Sequence, residues 1–178
     1  MNKEINLGSI EEDDLYFFRE KLLVWYEKNK RDLPWRKTKN PYLIWVSEVI
    51  LQQTRVQQGL AYYEKIIDRY PSIDALAESS EDELMKLWQG LGYYSRARNL
   101  LFTAKFLKKE HQAEMPKDYE TVLSLKGIGE YTAAAICSFA YDLPYAVLDG
   151  NVYRVLSRIF GVFTPINSTQ GKKEFSFL

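Results

Sequence analysis

The chain has 178 residues, of which 46% are hydrophobic and 15% aromatic, and its 24 basic residues balance its 24 acidic residues. This composition excludes a disordered protein and a strongly basic one, and it predicts one globular domain or two small lobes. No stretch approaches the roughly 20 apolar residues of a membrane span, and the acidic N-terminus, MNKEINLGSIEEDD, lacks the apolar core of a signal peptide, so we expect a cytoplasmic protein with no membrane partner.

Hydrophobic residues recur at helical spacing along almost the whole chain, which predicts an all-α fold. In chain order the predicted helices are LYFFREKLLVWYEKN (15–29), YLIWVSEVILQQTRV (42–56), GLAYYEKIIDRY (59–70), SSEDELMKLWQG (79–90), SRARNLLFTAKFLKKE (95–110), DYETVLSL (118–125), EYTAAAICSFAYD (130–142) and NVYRVLSRIFG (151–161). The segment KKEFSFL (172–178) is predicted to begin a further helix, and no alternating strand pattern competes with these assignments.

Basic residues lie beside aromatic residues or turns in RDLPWRKTK, GYYSRAR and LKGIG. This arrangement fits a local contact with a polyanion, although a run of charges more often forms a solvated face. The single cysteine, Cys137, lies in the small apolar stretch AAAICSFA and is predicted to be buried. One cysteine can form neither an internal disulfide nor, alone, a cysteine metal site.

The stretch LSLKGIGEYTAAAI (123–136) predicts two helices joined by a tight hairpin. Gly127 and Gly129 would expose backbone N–H groups at a helix N-terminus, where the dipole favours a phosphate and Lys126 adds positive charge. An ordinary helix–helix turn is the alternative, because Gly-x-Gly alone is common. The Leu-Lys pair before the turn and the small-residue helix after it favour a phosphate site of the helix-hairpin-helix kind.

Two carboxylates are predicted to have opposite environments. Asp149 precedes Gly150 and a predicted helix, so it is expected to be the N-cap of that helix. Hydrogen bonds from the backbone N–H groups of the first turn would then hold its carboxylate in the ionised form. Glu48 shares a predicted helix face with Trp45, Ile44, Leu51, Gln52 and Arg55, and its apolar neighbours should raise its pKa. A neutral acid and an ionised carboxylate are the pair that cleavage of a glycosidic bond requires.

Five motifs, LPWR, NPYLIWVSEVILQQT, GLGYYSRARNL, LKGIGEYTAAAICSFA and LDGNVYRVLSR, occur together and in this order between residues 15 and 175. Together they resemble the adenine DNA glycosylase family, which removes adenine mispaired with 8-oxoguanine and belongs to the helix-hairpin-helix DNA glycosylase superfamily. The resemblance implies a six-helix barrel domain with the hairpin over residues 30–140, and a partial second helical lobe from 1–29 plus 141–178. It also implies a monomer that acts, in association with the nucleoid, on double-stranded DNA with an A·8-oxoguanine or A·G mismatch.

The resemblance assigns four catalytic positions. Glu48 matches the general acid that protonates adenine at N7 and then handles the attacking water. Asp149 matches the carboxylate that stabilises the sugar cation, and Asn151 matches a polar residue that supports it. Tyr131 stands where bifunctional relatives have a lysine, so the resemblance implies a monofunctional enzyme, with its hydroxyl positioning Asp149 or the substrate.

The resemblance also assigns the residues that bind DNA. Gln53 matches a wedge residue that fills the space left by a flipped base. Tyr93 and Leu91 resemble a group that inserts beside the oxidised guanine, with core packing as the alternative. The other implied DNA-binding residues lie near the adenine pocket, at the wedge or in the hairpin: Arg31, Arg36, Gln52, Thr54, Lys126, Gly127, Gly129 and Thr132.

The chain departs from the family pattern after its last motif. Most members continue into a loop with four cysteines that bind a [4Fe–4S] cluster and then into a domain that senses 8-oxoguanine. This chain ends 29 residues after Asp149 without those cysteines, so we expect an N-terminal catalytic fragment with no cofactor of its own. Two alternatives stay open: a thymine glycosylase acting on G·T mismatches, and a truncated DNA-binding fragment without catalysis.

Overall fold

The structure is a computed structural model that describes residues 12–178, so the acidic stretch 1–11 lies outside the described residues. Ten α-helices and one short 3₁₀ helix, Pro34–Arg36, account for the regular structure of the described chain, and residues 12–178 contain no strand. The α-helices are α1 (Glu12–Asn29), α2 (Pro41–Leu51), α3 (Val56–Arg69), α4 (Ile73–Ala77), α5 (Glu81–Trp88), α6 (Ser95–Glu110), α7 (Tyr119–Ser124), α8 (Glu130–Tyr141), α9 (Gly150–Phe160) and α10 (Thr169–Phe177). No helix among the described residues is long and apolar enough to cross a membrane.

The chain forms two compact units, one of residues 33–146 and the other of the segment up to residue 32 together with 147–178. The sequence places the corresponding boundaries at 29/30 and 140/141. The larger unit contains α2 to α8. It has one helix more than the six predicted there, because Ser72 caps the first turn of the short helix α4.

One continuous hydrophobic core fills the unit of residues 33–146. Trp45, Ile66, Trp88 and Ile136 come from four different helices and are almost fully buried in it. Helix α2 packs against α3, α6 and α8, so the helix that carries Glu48 lies in the middle of this unit. Cys137 is buried in α8, as predicted.

The other unit has its own smaller core, in which Leu156, Val162 and Phe175 are buried. The Phe18 ring of α1 meets the Phe160 ring of α9 edge to face, with 5.3 Å between ring centroids. This contact attaches α1 to α9 although 120 residues lie between the two helices.

The helix predicted over residues 42–56 is divided in the structure. Helix α2 ends at Leu51, and the four residues 52–55, which we call the α2–α3 turn, precede α3. The carbonyls of Val49 and Ile50 accept hydrogen bonds from the Arg96 guanidinium instead of from the next helical turn. The prediction that Gln52 and Arg55 share a helix face with Glu48 is therefore wrong, because α2 ends at Leu51 and both residues lie in the turn after it.

Candidate functional site

Glu48 is held on α2, whose start and burial follow from its sequence. The Asn40 side chain caps the helix by accepting a hydrogen bond from the Tyr42 N–H at 2.9 Å, and Pro41 occupies the first helical position. Most other α2 side chains are buried in the core, whereas Glu48 is half-buried. A rigid, well-packed helix therefore presents one carboxyl group at the edge of an apolar core.

Burial raises the pKa of Glu48 to about 6 from its ordinary value of 4.5. A hydrogen bond from the Tyr131 hydroxyl and the positive charge of Arg36 act in the opposite direction but do not cancel the effect of burial. The expectation of a raised pKa agrees with the structure. Near neutral pH such a carboxyl group can both donate a proton and take one back.

The predicted hairpin joins α7 to α8, with Leu125 and Ile128 buried on its inner side. The Ile128 N–H donates to the Leu125 carbonyl at 3.1 Å, and the Thr103 hydroxyl donates to the Lys126 carbonyl at 2.8 Å. Gly127 has a φ of +81°, and a Cβ there would lie 2.6 Å from the Asn99 Cβ. The turn therefore requires glycine at this position for conformation and for space.

Gly129 differs from Gly127, because its φ is −99° and nothing lies within 4 Å of where a Cβ would be. It is the N-cap of α8, and no side chain accepts a capping hydrogen bond from the first-turn N–H groups of this helix. The exposed Lys126 ammonium lies 4.4 Å from the centre of the Phe102 ring. Backbone donors, a helix dipole and one cation are the elements of a phosphate site.

The α2–α3 turn carries three of the predicted DNA-binding residues. Gln53 is exposed and has a φ of +54°, a conformation that residues other than glycine rarely adopt. Gln52 is half-buried, and its amide approaches the Thr132 hydroxyl at 3.5 Å. Thr54 is half-buried, with its hydroxyl 3.4 Å from the Gln52 carbonyl. Gln53 therefore projects outward, while its neighbours help to shape the turn.

Residues 89–94, which we call the α5–α6 turn, expose Tyr93 and bury Leu91. Tyr93 is 62% exposed and has a φ of +47°. Leu91 is only 7% exposed and belongs to the core of its unit. In this conformation the alternative of core packing describes Leu91, and its insertion into DNA stays a prediction.

Thr132 is buried as well. Its side chain is 3% exposed, because it lies on the inner face of α8. Its backbone N–H belongs to the first turn of α8, so the backbone rather than the buried side chain is the group available for the predicted contact with DNA. Arg31 and Arg36 are both exposed, and Arg36 ends the 3₁₀ helix.

The unit containing α9 holds the second predicted carboxylate. Asp149 caps α9 by accepting hydrogen bonds from the N–H groups of Asn151 at 2.9 Å and Val152 at 2.8 Å. The Asn151 amide also donates to the second Asp149 oxygen at 3.3 Å. The Asp149 carboxylate is therefore half-buried and oriented by three donors, as the cap prediction required.

Sequence reasoning missed Arg96, which was grouped with the basic residues of GYYSRAR as a polyanion contact. The residue is only 9% exposed, and its guanidinium bonds to backbone carbonyls inside the larger unit. The missed signal is its spacing, since Arg96 is four residues before Leu100 on the buried face of α6. By contrast, Arg98 is exposed and pairs with Glu81 at 2.8 Å.

The residues present do not fit a [4Fe–4S] cluster. Such a cluster is held by four cysteine thiolates, whereas this chain has one cysteine, buried among the apolar residues of α8. The described residues contain no group of three or more His, Cys, Asp or Glu side chains that could hold a metal ion.

Comparisons with known proteins identify the family of this chain. The family described as HhH-GPD superfamily base excision DNA repair protein matches residues 46–176. The adenine DNA glycosylase of Buchnera aphidicola subsp. Baizongia pistaciae is 46% identical over 146 residues, which cover 82% of this chain and 42% of the relative. The human adenine DNA glycosylase is 43% identical over 161 residues, which cover 85% of this chain and 30% of the relative. The chain thus spans less than half the length of these relatives.

Solved structures share the fold. The structure of a thermostable thymine-DNA glycosylase matches with a TM-score of 0.77 and 27% identity, covering 82% of this chain and 67% of that one. A non-covalent endonuclease III–DNA complex matches with a TM-score of 0.76 and 19% identity, covering 95% of this chain and 77% of that one. These structural matches confirm the predicted all-α fold, and the curated relatives agree with the resemblance seen in the motifs. The chain belongs to the HhH-GPD superfamily of base excision DNA repair proteins.

Proposed function

We propose that this chain is a monofunctional DNA glycosylase that hydrolyses the N-glycosidic bond of adenine mispaired with 8-oxoguanine or guanine. The observation that carries this proposal is the half-buried Glu48, whose pKa is raised to about 6 and which receives a hydrogen bond from Tyr131. A carboxyl group with that pKa is suited to protonating a purine nitrogen near neutral pH.

In the proposed reaction Glu48 transfers its proton to N7 of adenine. The bond between C1′ and N9 then breaks, its electron pair moves into the purine ring, and adenine leaves as a neutral base. A water molecule adds to the sugar cation at C1′, and the Glu48 carboxylate accepts the proton that this water loses. The acid is thereby restored at the end of the cycle.

Asp149 is the carboxylate that we assign to stabilising the sugar cation. It already accepts hydrogen bonds from two backbone N–H groups and the Asn151 amide, so little reorganisation is needed when positive charge develops. Asn151 is a positioning residue in this scheme. Replacing its amide would free the second Asp149 oxygen to rotate.

Tyr131 supports the monofunctional assignment. Forming a Schiff base with the sugar requires a primary amine, and tyrosine has none. The sugar cation is therefore captured by water, and the resulting abasic sugar stays in an intact DNA strand. We propose that the Tyr131 hydroxyl orients the Glu48 carboxyl group to which it is hydrogen-bonded.

The proposed partner is double-stranded DNA containing the mismatch, bound by one copy of the chain. The uncapped first turn of α8 and Lys126 would hold a backbone phosphate. The exposed Gln53 would enter the space that the flipped adenine leaves, and the exposed Tyr93 would insert beside the oxidised guanine.

Removal of thymine from G·T mismatches is a second candidate, because the similar thermostable structure is named a thymine-DNA glycosylase. Thymine has no N7, so its removal would leave Glu48 without a purine nitrogen to protonate. A third candidate is DNA binding without catalysis, since the chain spans less than half of its curated relatives.

Single-turnover release of free base from A·8-oxoguanine, A·G and T·G duplexes separates these candidates. We expect adenine release, and we expect Glu48→Gln to slow it by about 10²- to 10⁴-fold, the usual contribution of a general acid. Glu64→Gln, which changes an exposed glutamate on α3, is the matched control. Thymine release that survives Glu48→Gln would favour the second candidate, and mismatch binding without release of any base would favour the third. Strand scission before heating in alkali would contradict the monofunctional assignment.

A further inference from the structure

Arg96 lies in the first turn of α6, and its guanidinium binds the end of α2. Its Nη1 donates to the carbonyls of Val49 and Ile50, each at 2.9 Å, and to the Gln52 carbonyl at 2.6 Å. A helix C-terminus leaves carbonyls without partners and carries partial negative charge, so a buried cation fits there. These bonds end α2 and form the start of the α2–α3 turn.

The same guanidinium also holds the α5–α6 turn. Its Nη2 approaches the carbonyls of Leu91 at 3.4 Å and Gly92 at 3.3 Å. Its central carbon lies 5.4 Å from the Trp88 ring and 5.6 Å from the Tyr93 ring. One planar group with donors on two edges therefore contacts two turns that are about 40 positions apart in sequence.

The partners of Arg96 are neutral oxygens. No ion pair within residues 12–178 includes it, and every hydrogen bond that it donates goes to a backbone carbonyl or to the Thr54 hydroxyl. A buried cation without a carboxylate persists only where the surrounding dipoles are fixed in place. The position of the Arg96 guanidinium is therefore set by the backbone carbonyls of the two turns and not by an acidic side chain.

Each of the two turns displays one exposed residue in a left-handed conformation. Gln53 has a φ of +54° and Tyr93 a φ of +47°. Such conformations last only where the surrounding structure determines them. For both turns the contact that they share is Arg96.

We propose that Arg96 is a positioning residue that fixes the α2–α3 turn and the α5–α6 turn relative to each other, so that Gln53 and Tyr93 enter DNA as one rigid pair. This inference rests on the proposed function for its use on DNA. The arrangement of the two turns can be tested without DNA.

The test compares Arg96→Met, which keeps most of the side-chain length but removes all donors, with Arg96→Lys, which keeps the charge but loses the planar fork. The control is Ile66→Ala, a change in the buried face of α3 away from both turns. Amide hydrogen exchange is followed at Thr54 and Leu91, whose N–H groups donate to the carbonyls of Leu51 and Trp88. Urea concentrations are adjusted so that the variants have equal free energies of unfolding.

We expect exchange at both amides to be about tenfold faster or more in Arg96→Met than in Ile66→Ala at equal stability, with Arg96→Lys intermediate. Extrusion of adenine, reported by 2-aminopurine placed beside it in an A·8-oxoguanine duplex, should fall about tenfold or more in Arg96→Met and little in Ile66→Ala. Equal exchange and equal extrusion in Arg96→Met and Ile66→Ala would overturn the proposal.

A second measurement covers the case in which Arg96→Met does not fold. The effects of Gln53→Ala and Tyr93→Ala on extrusion should be strongly non-additive in the wild-type chain and closer to additive with Arg96→Lys. Additive effects in the wild-type chain would overturn the proposal. A wild-type chain that extrudes no base would instead overturn the proposed function, while the exchange comparison would still decide whether Arg96 fixes the two turns.

Discussion

The Tyr131 hydroxyl hydrogen-bonds the Glu48 carboxyl group, which joins the first turn of α8 to α2. Tyr131 follows directly on the hairpin whose N–H groups form the candidate phosphate site. The position of the hairpin therefore bears on the proton affinity of the proposed acid. Helix α8 would therefore position both a phosphate bound at its N-terminus and, through Tyr131, the carboxyl group that meets the base.

Replacing Tyr131 with phenylalanine should shift the pH dependence of adenine release. The hydroxyl donates to the ionised form of Glu48 and lowers its pKa, so its loss should raise that pKa further above about 6. In the proposed mechanism the protonated carboxyl group is the active form, so the alkaline limb of the rate profile should move to higher pH, by about one unit. Single-turnover rates between pH 5 and pH 9 would measure the shift.

The matched control is Tyr141→Phe, which removes a hydroxyl from the same helix that donates to the Met115 carbonyl at 2.8 Å. Its alkaline limb should stay where the wild-type limb lies. A Tyr131→Phe limb that moves to lower pH would contradict the assignment of the hydrogen bond.

Glu48→Gln should change how stability depends on pH. The folded pKa of about 6 exceeds the ordinary value of 4.5, so the folded chain holds this proton when the unfolded chain has released it. The wild-type free energy of unfolding should therefore fall as pH rises from about 4.5 through 6, by about 2 kcal/mol at most. Urea denaturation at pH 4 and pH 8 should show this decline in the wild type and in Glu64→Gln but not in Glu48→Gln. Parallel declines in all three proteins would count against a raised pKa.

The two hairpin glycines should respond differently to alanine. Gly127→Ala places a Cβ 2.6 Å from the Asn99 Cβ at a φ of +81°, and we expect it to lower the free energy of unfolding by about 1–3 kcal/mol. Gly129→Ala meets no atom within 4 Å and has an ordinary φ, so it should change stability by about 0.5 kcal/mol or less. Equilibrium denaturation of both variants tests the contrast, and equal losses would show that the turn does not depend on Gly127.

Lys126→Gln should weaken DNA binding in a manner that depends on salt. If its ammonium neutralises one phosphate, the slope of log affinity against log salt concentration should become shallower by about 1. Lys65→Gln is the control, because Lys65 also lies over an aromatic ring, 5.6 Å from the centre of Tyr62, but on α3. Fluorescence anisotropy with a mismatched duplex at several salt concentrations measures both slopes. An unchanged slope for Lys126→Gln would remove this lysine from the phosphate site.

Local patterns in the sequence were enough to predict most helices and several of their ends. The Ser-x-x-Glu pattern of Ser80 and Glu83 forms a capping box at the start of α5, and Asp149 caps α9 as its position before a helix indicated. The hairpin also lies where Gly127 and Gly129 predicted it. These features depend on hydrogen bonds and periodicity within a few residues, so the information for them is contiguous in the chain.

The remaining features depend on residues that lie far apart in sequence. Helix α2 ends at Leu51 because the carbonyls of its last turn accept hydrogen bonds from the guanidinium of Arg96, which lies 47 positions after Val49. Likewise, the burial of Leu91 and Thr132 became clear only from the core that surrounds them. The sequence by itself determined most of the helices, several of their caps and an acid beside apolar neighbours. Only the tertiary structure decided which donor meets Glu48 and which basic residue is buried, because both depend on contacts that chain folding creates between distant helices.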